Sequence, residues 1–155
     1  GYIDLKETNY SASITDYKIF ASYDQPPIDK LMDIYDAYVK HHKWSSVWPI
    51  YPEEFTAKHN DLIGYYDENR LVAWSLMYKV SKHAVECEQF AWDYAKPKLK
   101  LGINSMKTEC AIYKDLGYKI IILGEAHNYK RSIDGFKIFG PRNRGLGPME
   151  PSSTT

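Results

Sequence analysis

The sequence predicts an α+β (α/β) domain: a mixed, mainly antiparallel sheet with one central parallel β-α-β crossover and helices on both faces. Three observations carry this prediction. Val72, Trp74, Leu76, Tyr78 and Val80 alternate with Ala73, Ser75 and Lys79, and "HAVECEQFAWDY" alternates again at 83 to 94. Alternation of this kind is the period of half-buried strands, and the short turn between the two runs makes them antiparallel. The period then changes, with Ile103, Met106, Cys110 and Tyr113 recurring at helical spacing up to "DLG". Finally, "YKIIILGE" holds an unbroken apolar run at 120 to 123, which suits a strand covered on both faces by parallel pairing. Strand 84–94, helix 103–116 and strand 118–124 therefore form the crossover, expected to be right-handed.

The remaining elements follow in order. "YKIFASYD", 17 to 24, reads as a strand of aromatic and β-branched residues closed by "DQPP". Ile28, Leu31, Tyr35, Tyr38 and Val39 then recur on one helical face, which predicts a helix over 27–42 with the prolines at its start. "WSSVWPIYPEEFTAKHN" opens as an aromatic loop and continues as a short helix from Pro52, its acids in the first turn. "LIGYY" is a strand joined to the next by a hairpin turn at "DENR", 67 to 70. Gly117 suits the residue just past a helix end. A short turn and a last strand near Phe136 to Phe139 complete one domain over 1–141, and "RNRGLGPMEPSSTT" leads into a tail, 142–155, expected to be flexible.

Composition bounds the function. Of 155 residues 44% are hydrophobic and 26% charged, the proportions of a soluble globular domain. No apolar run approaches the roughly 20 residues of a spanning helix, and "GYIDLKETNY" is not a signal peptide. Two cysteines, Cys87 and Cys110, make neither a disulfide framework nor a metal set, so a reduced, cytoplasmic protein without a metal centre is expected. Twenty basic and twenty acidic side chains cancel, which disfavours a whole-surface polyanion binder but leaves room for a local basic patch. Fourteen Tyr and four Trp suit clefts and interfaces, and equally suit sheets.

The element order resembles the GNAT (N-acetyltransferase) superfamily over nearly the whole chain. That resemblance implies acetyl-CoA or another acyl-CoA bound at the crossover. Its pyrophosphate would rest on backbone N–H groups where strand gives way to helix, since a helix N-terminus presents unpaired donors. "KPKLKLGINSMKTE" lies there, with Leu99 at the usual Arg/Gln and Asn104 at the usual second glycine. Residues 70–141 are further similar to the C-terminal half of arginyl- and leucyl-tRNA–protein transferases. The motifs are Trp92-Asp93, Leu101-Gly102 with Ser105, Gly117-Tyr118 with Leu123-Gly124, and Phe136, Lys137, Phe139 and Pro141. This likeness implies aminoacyl-tRNA as the alternative donor and an amine-bearing small molecule or a peptide N-terminus as acceptor.

An acyltransferase of this kind works mainly by positioning, with a base for the amine and donors for the oxyanion. Glu86 and Glu88 share a face with Phe90, Trp92 and Tyr94 in an unbroken strand. Glu88 is then a base beside an aromatic slot, or the pair simply faces water. Asp93 either orients an amine or caps the turn before the helix. Trp92 and Tyr94 would line the donor slot, Lys98 and Lys100 would face phosphate, and Gly102 and Ile103 would offer backbone N–H groups. His127, Tyr129 and Lys130 follow the central strand at the end where ligands collect, and Tyr129 is the candidate acid. The aromatic loop Trp44, Trp48 and Tyr51 lies where the resemblance puts the acceptor side, and equally suits a lid over the core. The alternative is a GNAT-like binding or accessory module without catalysis.

Overall fold

The computed structural model describes residues 1–21, 24–42, 50–95, 99–123 and 128–138, with backbone alone at 42, 128 and 129. The expectations for Trp44, Trp48, Lys98, His127, Phe139, Pro141 and the tail lie outside the described residues, as does the side chain of Tyr129.

The strands are β1 (Tyr2–Asp4), β2 (Tyr17–Phe20), β3 (Asn60–Asp67), β4 (Arg70–Lys79), β5 (Ala84–Trp92), β6 (Ile120–Ile122) and β7 (Phe136–Lys137). The helices are α1 (Ile28–His42) and α2 (Leu101–Asp115), with short 3₁₀ turns at Leu5–Glu7, Pro52–Thr56 and Asn128–Ser132. The described strands form one sheet in the order β2-β3-β4-β5-β6-β1-β7. All neighbours are antiparallel except β5 and β6.

Local chemistry places these elements where the pattern predicts. The β3–β4 hairpin turns on Glu68 and Asn69 with φ of 49° and 64°, the paired left-handed geometry that matches strand twist. Two prolines precede α1, and Pro27 accepts from the Leu31 N–H. α2 ends at Gly117 with φ of 89°, whose N–H donates to Lys114 O while Tyr118 N–H donates to Tyr113 O. Those bonds satisfy the last turn's orphan carbonyls.

Two cores sit on the two faces. Trp74, Leu62 and Leu76 pack with Leu31, Tyr35 and Phe55 on the α1 side. There the Trp74 ring meets Phe55 edge-on at 5.0 Å and its Nε1 donates to Leu31 O at 2.9 Å. Ile63, Tyr65, Met77 and Val85 pack with Met106, Cys110 and Tyr113 on the α2 side.

One strand was not expected from the sequence. β1 lies between β6 and β7, pairing Ile3 with Ile121 on one side and with Phe136 on the other. The apolar run at 120–123 is thus flanked by a parallel neighbour and an antiparallel one. β6 and β7 are also shorter than the predicted 118–124 and 136–139.

Candidate functional site

β5 and β6 pair over Ala84–Ile120, Val85–Ile121 and Glu86–Ile122, the last pair among the described residues. β5 runs on to Trp92 with β4 as its only described partner. Among the described residues, therefore, the β6-side edge of β5 has no strand partner from Cys87 to Trp92. α2 carries the chain from the end of β5 back to the start of β6, so its N-terminus lies at the C-terminal end of β5. A split between parallel strands with a helix N-terminus beside it is where open α/β sheets take ligands.

The strand lining this split is not regular. Leu76 faces Gln89 and Met77 faces Cys87, so Glu88 is an extra residue, a β-bulge. The bulge reverses the alternation and corrects the expected common face. Glu86 pairs with Tyr78 and Ala91 with Trp74, on the α1 side, whereas Phe90 and Trp92 pack against the α2-side core. Glu86 therefore does not share a face with Phe90 and Trp92, because a bulge consumes one residue of the period. Glu88 is exposed, and its carboxyl is held above the usual carboxylate range, first by desolvation and then by Glu54 and Glu86, with His59 pulling the other way.

The turn into α2 is built from backbone. Lys100 stands at the N-cap with φ of 49° and makes no side-chain cap. Asn104 N–H donates to Lys100 O, and Asn104 Nδ2 donates to Leu99 O at 2.8 Å, tying the loop to the first turn. The N–H groups of Leu101, Gly102 and Ile103 have no acceptor among the described residues. A Cβ built on Gly102 would meet no described atom within 4 Å. No packing within the described fold calls for glycine there, while its bare backbone leaves these donors open to an approaching anion.

Around the mouth the rings converge. Trp92 and Tyr94 lie 4.0 Å apart between centroids, His41 stacks on Tyr94 at 3.6 Å, and Tyr38 meets Phe90 edge-on at 6.3 Å. Asp93 is engaged in the turn: Oδ2 pairs with Arg70 at 2.9 Å, Oδ1 accepts from Ala95 N–H, and its own N–H donates to Val72 O. Past β6, Lys130 Nζ donates to Leu123 O at 3.1 Å and favours the thiolate of Cys87 across the split. Burial and Glu109 nonetheless push the Cys87 thiol up to about 12, which leaves it neutral and unreactive. Lys137, expected with the closing motif, instead pairs with Asp4 at 3.3 Å and Glu7 at 2.8 Å.

Glu109 escaped the sequence reading. It lies on the sheet-facing side of α2, 3% exposed, and its Oε2 accepts from Tyr65 Oη at 2.5 Å and Ser75 Oγ at 2.7 Å. None of the described ion pairs includes it. Desolvation pushes its carboxyl up to about 7 although both hydroxyls pull it down. The signal was present in the sequence: an acid one position before Cys110, on the stripe of Met106 and Tyr113.

No protein-family model and no curated protein matches the chain. Solved structures do. The C-terminal domain (DUF2156) of an Agrobacterium fabrum protein assigned as a lysylphosphatidylglycerol synthetase superposes with a TM-score of 0.60 at 14% identity, over 81% of this chain and 45% of that one. An aminoglycoside acetyltransferase from an uncultured soil metagenome gives 0.54 at 13% identity, over 74% and 78%. Saccharomyces cerevisiae N-myristoyltransferase, solved with myristoyl-CoA, gives 0.54 at 11% identity, over 77% and 34%. The chain thus spans less than half the length of the first and third of these. At such identities the likeness is one of architecture, and that architecture, with its parallel β5–β6 pair and crossover helix, is the GNAT fold.

Proposed function

We propose that this chain is an acyltransferase that moves an acyl group to an amine in the split between β5 and β6. The observation that carries the reading is the parallel β5–β6 pair joined by α2, whose first turn has no side-chain cap and whose N–H groups find no acceptor among the described residues. The residues present fit acyl-CoA: Leu101, Gly102 and Ile103 would hold its pyrophosphate through backbone N–H groups, with Lys98 and Lys100 adding charge. When bound, it supplies an activated acyl thioester.

The chain's own residues do the rest by positioning. Phe90, Trp92 and Tyr94 form an aromatic wall that excludes water from one side of the split. An ammonium must lose a proton before it attacks, and Glu88 carboxylate takes that proton directly or through a water. Its raised proton affinity fits it for the task better than an ordinary surface glutamate. Lys130 sets a positive charge beside the parting strands, where an oxyanion would develop. Tyr129 is assigned the return of a proton to the leaving group. Asp93 acts through Arg70 and Ala95 by fixing the turn, a positioning role.

Acyl-CoA is the first donor and aminoacyl-tRNA the second. The neighbour named for aminoglycosides supports a polyamine-like acceptor. Calorimetric titration with acetyl-CoA, CoA and charged tRNA tests the reading: binding of CoA supports it, and no binding by any of the three sinks both donors. The rival reading, a GNAT-fold binding module without catalysis, is favoured by the Asn104 side chain closing the loop on Leu99 O. Binding of acetyl-CoA with no acyl transfer to any of a panel of primary amines would decide for it.

A further inference from the structure

We propose that Glu109 is a proton-gated fastener of the crossover helix, which lets α2 close dry on β3 and β4 when neutral and promotes its local opening when ionised. The geometry is that of a carboxyl sealed between a helix and a sheet. Glu109 projects from α2, Tyr65 reaches it from β3 and Ser75 from β4, and both hydroxyls converge on Oε2. Tyr65 and Ser75 are themselves fully buried, and Tyr65 Oη also lies 3.4 Å from Ser105 O on α2. The titratable groups facing the cluster are Tyr65 from β3, Cys87 from β5, and Cys110 and Tyr113 from α2 itself. Every one of them is neutral at physiological pH, so among the described residues nothing packed against Glu109 compensates a negative charge.

The two protonation states are therefore unequal. In the neutral acid Oε2 accepts both hydroxyls and the proton sits on Oε1, a donor with no acceptor among the described residues, a smaller cost than a buried charge. The carboxylate keeps those bonds and strengthens them, yet two hydroxyls replace only part of a carboxylate's hydration, and an uncompensated buried charge costs several kcal/mol. Water reaches the charge most directly if α2 lifts from the sheet. A surface glutamate at this helical position would place no such condition on the packing of α2, and a buried glutamine would place none on pH. The inference stands on packing alone and is independent of what the split binds.

Hydrogen exchange of α2 backbone amides, corrected for intrinsic rates, tests it in the full chain at pH 5 and pH 8. With a carboxyl at about 7 in the closed state and 4.5 once open, α2 protection falls about 70-fold between the two pH values. Glu109→Gln should abolish that fall. The exchange should be insensitive to low urea, as expected of local opening. If Glu109→Gln does not fold, Ser75→Ala serves, because losing a hydroxyl donor disfavours the carboxylate in the closed state and should extend the fall to higher pH. Flat α2 protection in the wild type overturns the proposal. So does a fall retained in Glu109→Gln, not extended in Ser75→Ala, or as urea-sensitive as global unfolding.

Discussion

Gly102→Ala separates what the fold needs from what a ligand needs. The new methyl would meet no described atom within 4 Å, so the packed structure offers no reason for it to destabilise. Glycine inside a helix costs about 0.5–1 kcal/mol relative to alanine through backbone entropy, and the second residue of α2 should return part of that. At about 2–4 °C per kcal/mol for a chain of this size, the midpoint of thermal unfolding should rise by about 1–3 °C. The same methyl would stand against the open N–H groups of Leu101, Gly102 and Ile103. A charge-assisted hydrogen bond contributes about 1.5–3 kcal/mol, and its loss should weaken CoA binding by about ten- to a hundredfold. Scanning calorimetry of the unliganded protein and titration with CoA read the two effects separately. A variant that is more stable yet binds CoA as the wild type does would refute the backbone site at α2. A variant that is less stable would show that the space beside Gly102 is filled.

Other outcomes follow from the same geometry. Glu109, raised to about 7 in the fold from 4.5 when unfolded, holds its proton more tightly when folded, so its effect on stability is most favourable below pH 4.5 and is lost as pH rises towards 7. The loss amounts to about 3 kcal/mol at most, and urea unfolding from pH 4.5 to 8 should show a slope that Glu109→Gln flattens; parallel slopes would exclude it. Glu88→Gln should lower kcat for transfer to a protonated amine by about a hundredfold or more with little change in KM for the donor, and an unchanged kcat-against-pH profile would remove Glu88 from the chemistry. Arg70→Ala breaks a largely exposed ion pair and should cost no more than about 1 kcal/mol in urea unfolding. Leu76→Ala, in the fully buried α1-side core, should cost about 2–5 kcal/mol.

Much of the fold was legible because its periods are long enough to count. The alternation from Val72 to Val80, the helical stripe from Ile103 to Tyr113 and the apolar run at 120–123 each reflect burial on a known face. β1 was not legible: three residues are too few to show a period, and its partners lie beyond residue 119. The bulge at Glu88 was hidden for another reason. Alternation continues on either side of it, and only the register against β4 reveals the slipped residue. At the site, Gly102 and the turn before it were readable from the change of period. Asp93 was weighed both as a turn residue and as a substrate contact, and its bonds to Arg70 and Ala95 place it in the turn. Glu109 was visible as an acid on an apolar stripe, but its partners Tyr65 and Ser75 sit on strands far away in the chain.

The place of β1 also dictates the order in which this chain can finish folding during synthesis. Tyr2 must wait for Ile122 and Ile3 for Phe136, so β1 is among the last of these strands to pair. At about 5–20 residues per second the ribosome leaves it without those partners for about 6–27 s. Meanwhile β2, β3, β4 and β5 can already assemble against α1 from neighbouring hairpins. Those strands would then be a half-sheet whose β5 edge lies open, and arrival of β6 covers that edge from Ala84 to Glu86.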